Sequence, residues 1–369
     1  MNKGFLFSIS GYLILLLSSL FLVNTSEAVS PMLTTGQNHT IVLTRNGSLW
    51  AWGENRVGQL GDGSFENRKT PVQIGRSGDW ISVEAGNSHT VALKKDRTLW
   101  TWGSNRSGAL GYGTGGSKES PVQISKATDW ISIKAGDENT FGLKKDGTLW
   151  AWGRNWIGLL GDGTTETRMT PVQVGKSNDW ISVSAGGYFT LAIKRDGSLW
   201  ICGGENRKSF VRVGNDSDWI SMAGGDEHAV ALKKNGTLWA WGDNSHGQLG
   251  DGTDEPRRNP IQIGPDNNWA SVVALHYHTL ALKKDGTLWA WGRNDFGELG
   301  VGSGSRRSRT RVGSDNDWIS IGSGFGSNHT VALKKDGSLW AWGSNDFGEL
   351  GDGTVVEKLL PSRVKITLH

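Results

Sequence analysis

Apolar residues along this chain fall in short alternating runs, and the runs return at a fixed interval. The plainest is Leu49-Trp50-Ala51-Trp52-Gly53. It recurs at 99–103, 149–153, 238–242, 288–292 and 339–343, and at 199–203 with Cys202 in place of the second Trp. Counted from the first Trp of each run, the steps are 50, 50, 50, 39, 50 and 51 residues. A period near 50 seen seven times marks a repeat architecture. Two Trp two residues apart lie on one face of a strand, with Leu and Ala on the other. Both faces are apolar, so each strand must be covered on both sides, as stacked propeller blades would cover it.

The unit is clearest at Asp79–Gly113. An alternating run from Asp79 to Gly86 reads as a first strand and His89–Leu93 as a second. Lys94-Lys95 and the pair Asp96-Arg97 then lead into the Trp strand. Elsewhere that pair is Asn46-Gly47, Asp146-Gly147, Asp196-Gly197, Asn235-Gly236, Asp285-Gly286 or Asp336-Gly337, which predicts two-residue type I′ hairpins with φ > 0 at both positions. Arg97 breaks the rule, at a cost of about 1 kcal/mol relative to Gly. A Gly-rich loop follows, as in Asn55–Gly63, and then a fourth strand such as Thr70–Ile74, where Pro71 suits an edge. The chain therefore reads as all-β, a seven-bladed β-propeller of four-stranded antiparallel blades. The first unit lacks the Asp-Trp start, and the last ends in the alternating Val364–Leu368. This predicts that the termini meet and close the ring within one blade, by pairing or apposition. The fourth unit has lost 11 residues between Trp200 and Trp219, including its Leu-Gly-Asp-Gly loop, which reads as drift where length is tolerated.

Composition agrees. Of the 20 Trp, 13 lie in the Leu-Trp runs and six open first strands, so only Trp156 is left without a place in the repeat. The net charge of +3, without a basic tail or acidic block, demands neither nucleic acid nor an anionic membrane. The single Cys202 excludes an intramolecular disulfide and a Cys-based metal site, and reads as a buried free thiol. Lys3, the apolar Phe5–Val23 and Ser26-Glu27-Ala28 form an export signal, expected to be cleaved after Ala28 rather than kept as an anchor. The division is thus 1–28 signal and 29–369 propeller, exported and monomeric, without cofactor or metal.

Catalytic chemistry finds no single site. His39, His89, His228, His278 and His329 occupy one repeat position, so they read as structural groups hydrogen-bonding within each blade. Asp216-Ser217-Asp218 and Asp315-Asn316-Asp317 lack the rest of a calcium loop and read as solvated turns. Binding is better sought where residues vary on the constant frame. In a meander, the loop between strands one and two emerges on the same face as the loop between three and four. The varied pairs of the first loop include Asp137, Glu138, Tyr188, Asp226, Glu227, His276 and Tyr277. Those of the second include Arg56, Arg106, Trp156, Ile157, His246, Phe296 and Phe347. Aromatics and Arg beside acids make a protein-binding composition, with Trp156 as leading anchor. The alternative is that Trp156, Phe296 and Phe347 fold down as plugs between blades. The opposite face carries basic pairs from Lys94-Lys95 to Lys334-Lys335, offset by neighbouring Asp residues.

Taken together, Asp-Trp-x-x-(Val/Ile)-x-Ala-Gly, His-Thr-x-Ala-Leu and Leu-Trp-x-Trp-Gly-x-Asn-x-x-Gly-x-Leu-Gly resemble the RCC1 (regulator of chromosome condensation 1) repeat family over about residues 29–369. Kelch repeats share the period but would carry a Gly-Gly doublet in each blade, and these blades do not. The resemblance implies a seven-bladed propeller. The family's best-known activity is guanine-nucleotide exchange on a small nuclear GTPase, with chromatin binding, and it uses a wedge inserted in one blade. The uniform or shortened spacings here leave no room for a wedge. An exported branch, which includes β-lactamase inhibitory protein II, grips an enzyme with the loops of one face. The reading is an exported, non-enzymatic propeller that binds a protein or surface glycan through its varied face. The alternatives are a nucleotide-exchange factor and a secreted enzyme inhibitor.

Overall fold

The alternating runs pair as neighbours in sequence. In the computed structural model, which describes residues 29–204 and 207–367, the strands form seven antiparallel sheets of four, each a simple meander in chain order. Blade one consists of Met32–Thr35, His39–Leu43, Leu49–Gly53 and Arg68–Ile74. Blade seven consists of Trp318–Ile321, His329–Lys334, Ser338–Gly343 and Lys358–Thr367. No helix occurs among the described residues. Pro71 lies in the outermost strand of blade one, where its missing N–H interrupts no ladder.

The core lies between blades. The second Trp of each Leu-Trp-x-Trp run enters the interface with the preceding blade: Trp102 packs with Ile41, Leu49 and the loop residue Leu60. Its sisters Trp52, Trp152, Trp291 and Trp342 each donate the indole N–H to a main-chain carbonyl of the preceding blade's Gly-rich loop, at 2.8–3.0 Å. Burying one such ring is worth about 4–6 kcal/mol gross. The loop meets the ring closely. A Cβ on Gly61 would stand 2.6 Å from the Trp102 ring, and Gly61 has φ 79°. Gly is therefore required at that point.

The first-strand Trp has a different partner. Lys94 Nζ lies 4.9 Å from the Trp80 ring and 4.5 Å from the Trp100 ring, and 3.2 Å from Asp79. The same clamp recurs at Lys144, Lys194, Lys233, Lys283 and Lys334. Half of the basic ring expected on this face is thus internal to the blades, while Lys95, Lys145, Arg195, Lys234, Lys284 and Lys335 are exposed. Asp216 and Asp218 both grip Lys233, and Asp315 and Asp317 both grip Lys334. Those alternating carboxylates lie in solvated turns, as expected, and each pair also clamps a lysine.

Three expectations need correction. Three of the five repeated His residues stitch neighbouring blades together, not strands within one: His89 Nε2 meets Thr140 Oγ1 at 3.0 Å, His228 meets Thr279 at 2.9 Å, and His329 meets Thr40 at 2.7 Å, whereas the rings of His39 and His278 meet no partner among the described residues. Each Thr hydroxyl gives its own hydrogen to a loop carbonyl, so the imidazole must donate from Nε2. Secondly, the hairpins are not type I′. Gly47 N–H donates to Thr44 O while Thr44 N–H donates to Ser48 O, a three-residue loop with only its Gly at positive φ. The Asp keeps ordinary φ because its side chain accepts from two residues on, as Asp96 does from the Thr98 N–H and hydroxyl. Thirdly, the ends do not share a blade. Met32–Thr35 already supplies the first strand of blade one, so nothing is left for the C-terminal strand to complete. Closure is between blades: Thr35 N–H donates to Ser323 O at 3.1 Å, and Val364 and Ile366 join Leu33, Trp50 and Trp52 in one apolar cluster.

Arg97 holds φ 66°, the sole non-Gly residue at positive φ among those described. At five of the sister turns a Cβ would stand 2.0–2.4 Å from a carbonyl of the next blade's entry. Five of those turns accept an N–H from the following Trp, as Gly47 O does from Trp80, whereas Arg97 O accepts none from Trp130. In blade four, the slot left by the Cys202 exchange is filled by Phe210, whose ring lies 5.0 Å from Trp180. The Cys202 thiol is buried, and burial pushes its pKa far up, as an inert core thiol requires. The expected signal segment, residues 1–28, lies outside the described residues.

Candidate protein-interaction face

Each Gly-rich loop begins with an Asn that ties it shut. Asn55 Oδ1 accepts the Leu60 N–H and its Nδ2 donates to Asp62, while Arg68 holds the other Asp62 oxygen at 2.7 Å. The Asp of these loops is therefore framework, and two residues after the Asn are left free to vary. Their directions alternate strictly. The first is exposed at Arg56, Arg106, Trp156, Ser245, Asp295 and Asp346, and the second is half-buried at Val57, Ser107, Ile157, His246, Phe296 and Phe347. The plug alternative thus separates by position. Phe296 and Phe347 turn partly inward as lids beneath Arg293 and Arg56, whose guanidinium carbons lie 5.6 and 5.2 Å from the rings. Trp156 turns outward and is 48 % exposed.

The loops between strands one and two come up beside these on the same face. Tyr188, 43 % exposed, meets Trp156 edge to face at 5.9 Å, and the Arg154 guanidinium carbon lies 5.1 Å from the Trp156 ring centre. Arg154 also pairs with Asp137 at 3.0 Å and Glu138 at 3.5 Å. Burial raises the pKa of Asp137 against the pull of its Asn87 hydrogen bond. Glu138 accepts from Ser107, and these residues wall a pocket of about 240 Å³ with Arg106 at its lip. Across the ring His276 stacks on Tyr277 at 4.0 Å, lies 3.5 Å from Asp226, and meets Asn328 at 3.2 Å. His246 lies 5.2 Å from Tyr277. Glu227 is exposed, and burial together with Asp243 and Asp226 raises its pKa.

The candidate residues therefore form two groups. Arg106, Asp137, Glu138, Trp156, Ile157 and Tyr188 gather over blades two to four, and Asp226, Glu227, His246, His276, Tyr277 and Phe296 over blades five and six. Arg56 and Phe347 pair at the junction of blades seven and one. Sequence reasoning missed Arg154 and Arg293, which order the aromatics. They stand just before the loop Asn, where the chain reads Glu54, Ser104, Arg154, Asp243, Arg293 and Ser344. The same search for variation, moved one place earlier, finds them. The five His side chains at the recurring position are all buried and hold pKa values well below the ordinary one, at about 3 for His39 and His329 and about 4 for His89 and His228. Burial is the leading cause, and it keeps the rings neutral. Among the described residues no three His, Cys, Asp or Glu side chains converge as metal ligands would.

Comparison with known proteins returns one architecture. The model of the regulator of chromosome condensation (RCC1) repeat matches residues 46–93, 97–143, 146–193, 235–282 and 336–368. A stretch of 48 residues, 13 % of the chain, is 48 % identical to part of the protein RCC2 homolog of Xenopus laevis. A stretch of 34 residues is 50 % identical to part of the X-linked retinitis pigmentosa GTPase regulator homolog of Caenorhabditis elegans. The matches span only 9 % and 2 % of those two proteins' lengths. Among solved structures, Prp20p of Saccharomyces cerevisiae superposes with a TM-score of 0.78 at 23 % identity, over 91 % of this chain and 88 % of its own; its structure was described with its binding to Gsp1p and histones. Human WBSCR16 superposes with a TM-score of 0.75 at 19 % identity, over 86 % of this chain and 94 % of its own.

Proposed function

The chain belongs to the regulator of chromosome condensation (RCC1) repeat family, and on that premise we propose that it is an exported, non-enzymatic propeller that captures a protein partner on its loop face. One observation carries the reading: Trp156, the Trp that no repeat position requires, is held outward by Arg154 and Tyr188 instead of folding into a blade. A rigid, half-exposed aromatic beside Arg and carboxylates is the composition of a binding hot spot. Protein binding is also the reported property of Prp20p, which shares this fold. The apolar segment at residues 5–23 and the small-x-small site ending at Ala28 support export.

The test is affinity capture from the secreted and surface proteins of the source culture, with wild type beside Trp156→Ala and Tyr188→Ala. A partner held by wild type and lost at least about tenfold by either variant, at unchanged melting temperature, is expected. Capture unchanged by both rejects this face. Recovery of the chain only from the cytoplasm rejects export and returns the exchange-factor reading to first place.

A further inference from the structure

Six of the seven blade junctions are sealed by the same polar staples, and the seventh lacks them all. At the six, a Gly-x-Leu-Gly loop inserts its buried Leu and its main-chain carbonyl takes a Thr hydroxyl from the next blade at 2.8–2.9 Å. At four of them the same carbonyl also takes the indole N–H of that blade's second Trp. Between blades four and five the loop is missing. Ala229 stands where Thr would need its carbonyl, and Phe189 stands where His would need that Thr. One group keeps its old requirement. Trp241 donates its N–H to no acceptor among the described residues, and at 6 % it is the one second-position Trp with any exposure, its five sisters being at 0 %.

The strand end that follows Trp241 is acidic. Glu227 O accepts the Asp243 N–H at 2.9 Å across the strand end that follows Trp241. The Glu227 carboxylate is exposed, without a hydrogen bond or ion pair among the described residues. Asp226 and Asp243 flank it. Arg207 is turned into its own short connection, its Nε donating to Gly203 O at 3.1 Å. Tyr188, the neighbour of Trp156, bonds through its N–H to Asp226 O at 3.2 Å, which ties the gap to the aromatic patch.

We propose that the gap between blades four and five receives a basic turn of the protein partner: its main-chain carbonyl accepts the Trp241 N–H, its apolar side chain covers the exposed edge of the indole, and its Lys or Arg is held by Glu227 with Asp226 and Asp243. The six filled junctions define the shape of the occupant, a turn presenting a carbonyl beside an apolar residue. The three carboxylates define its charge. This inference rests on the protein-binding reading above and adds the site and the chemistry of the bound segment.

The probe is a disulfide-closed cyclic peptide containing Gly-Lys-Leu-Gly, titrated into the purified protein carrying ¹⁵N-labelled Trp. Trp241→Phe identifies the Trp241 indole signal and removes the N–H together with one ring of the indole, while Glu227→Gln and the Glu-containing peptide leave the packing intact. The expected result is a downfield shift of the Trp241 indole proton, with affinity reduced about tenfold in Trp241→Phe, in Glu227→Gln, and for the peptide containing Gly-Glu-Leu-Gly. No shift at roughly millimolar peptide, or equal binding of the Lys and Glu peptides, overturns the proposal. So does a shift produced by a heparin-type polyanion or a neutral glycan and not by the peptide. The natural partner separates the two readings. Loss of capture in Trp156→Ala but not in Trp241→Phe overturns the gap and leaves the face, whereas loss in Trp241→Phe supports the gap.

Discussion

Replacing His228 by Asn should make the propeller less sensitive to acid. His228 is buried, its pKa is about 4, and burial is the main cause. In the unfolded chain a His titrates near 6.5. Above that value neither state binds the proton, and stability is at its full level. As pH falls below 6.5 the unfolded state takes up a proton that the folded state refuses, so stability is lost until the folded value is passed. At pH 5 the loss is about 1.5 pH units at 1.36 kcal/mol each, or about 2 kcal/mol for this one ring. His39, His89 and His329, with folded values of about 3 to 4, behave alike, so four rings together remove about 8 kcal/mol between pH 7.5 and pH 5. That is comparable with the whole stability of a typical domain. Glu84, Glu298 and Glu349, whose pKa values burial raises, act in the opposite sense and regain stability as pH falls. A single-site comparison cancels them. Asn is a native choice, since Asn139 stands at this position in blade three. Urea unfolding of wild type and His228→Asn at pH 7.5, 6 and 5, followed by near-UV circular dichroism, should show the variant about 1 kcal/mol weaker at pH 7.5. Between pH 7.5 and pH 5 it should lose about 2 kcal/mol less than wild type. Parallel pH profiles would refute the reasoning, because the ring would then be solvated or already charged in the folded state.

Arg97→Gly should stabilise by about 1–2 kcal/mol, by relieving the positive φ and letting the Trp130 N–H reach the turn carbonyl as in the sister blades; a lower melting temperature would contradict this. Cys202→Trp should destabilise by about 1–3 kcal/mol because Phe210 already fills the slot, and adding Phe210→Pro, the residue that blade three has there, should recover most of the loss in a denaturant titration. Lys334→Met should cost about 2–3 kcal/mol, since it removes a cation held between Trp318 and Trp340 and two carboxylates; a cost near zero would show that aliphatic packing alone sustains the clamp.

Much of this molecule was legible because the chain states it seven times. The period of the Trp runs, the alternation within them and the Pro at the outer strand lead to seven meanders without any long-range information. What was not legible depends on contacts between repeats or on a single dihedral angle. The His residues share a position in sequence, but whether the Thr they meet lies in the same blade or the next is decided by how the sheets stack. The hairpins carry Asn-Gly and Asp-Gly at both kinds of turn, and the Thr or Ser two residues later, which captures the Asp carboxylate, selects the three-residue loop. That the two sets of varied loops share one face followed from counting strand direction, as the meander order confirms. The split between Trp156 outward and Phe296 and Phe347 inward required the loop geometry, because the two positions after the Asn differ only in where they point.

Blade four shows why its departures are better taken together than as separate drift. Losing the loop removes a carbonyl that would have served one Thr and one Trp, and an unpaired buried hydroxyl would cost roughly 1–3 kcal/mol. The chain carries Ala229 there, and the His whose partner would have been that hydroxyl is Phe189. Two polar groups have thus gone with the loop that satisfied them, and Phe210 fills the slot of the missing Trp in the same blade. Repair of this kind leaves a sealed, apolar junction if it is carried through. It stops at Trp241, whose N–H meets no acceptor among the described residues and which keeps some exposure, two blades from the Trp that no repeat requires. Trp102 also lacks an acceptor but is wholly buried at a filled junction, whereas the Trp241 ring keeps exposure, so an incoming carbonyl would give its N–H a function. On this account Trp241→Phe should cost no more than its lost ring volume, about 1–2 kcal/mol, as its N–H meets no acceptor among the described residues, and should weaken the basic turn about tenfold. Unchanged peptide binding in that variant would show instead that the N–H takes no part in capture.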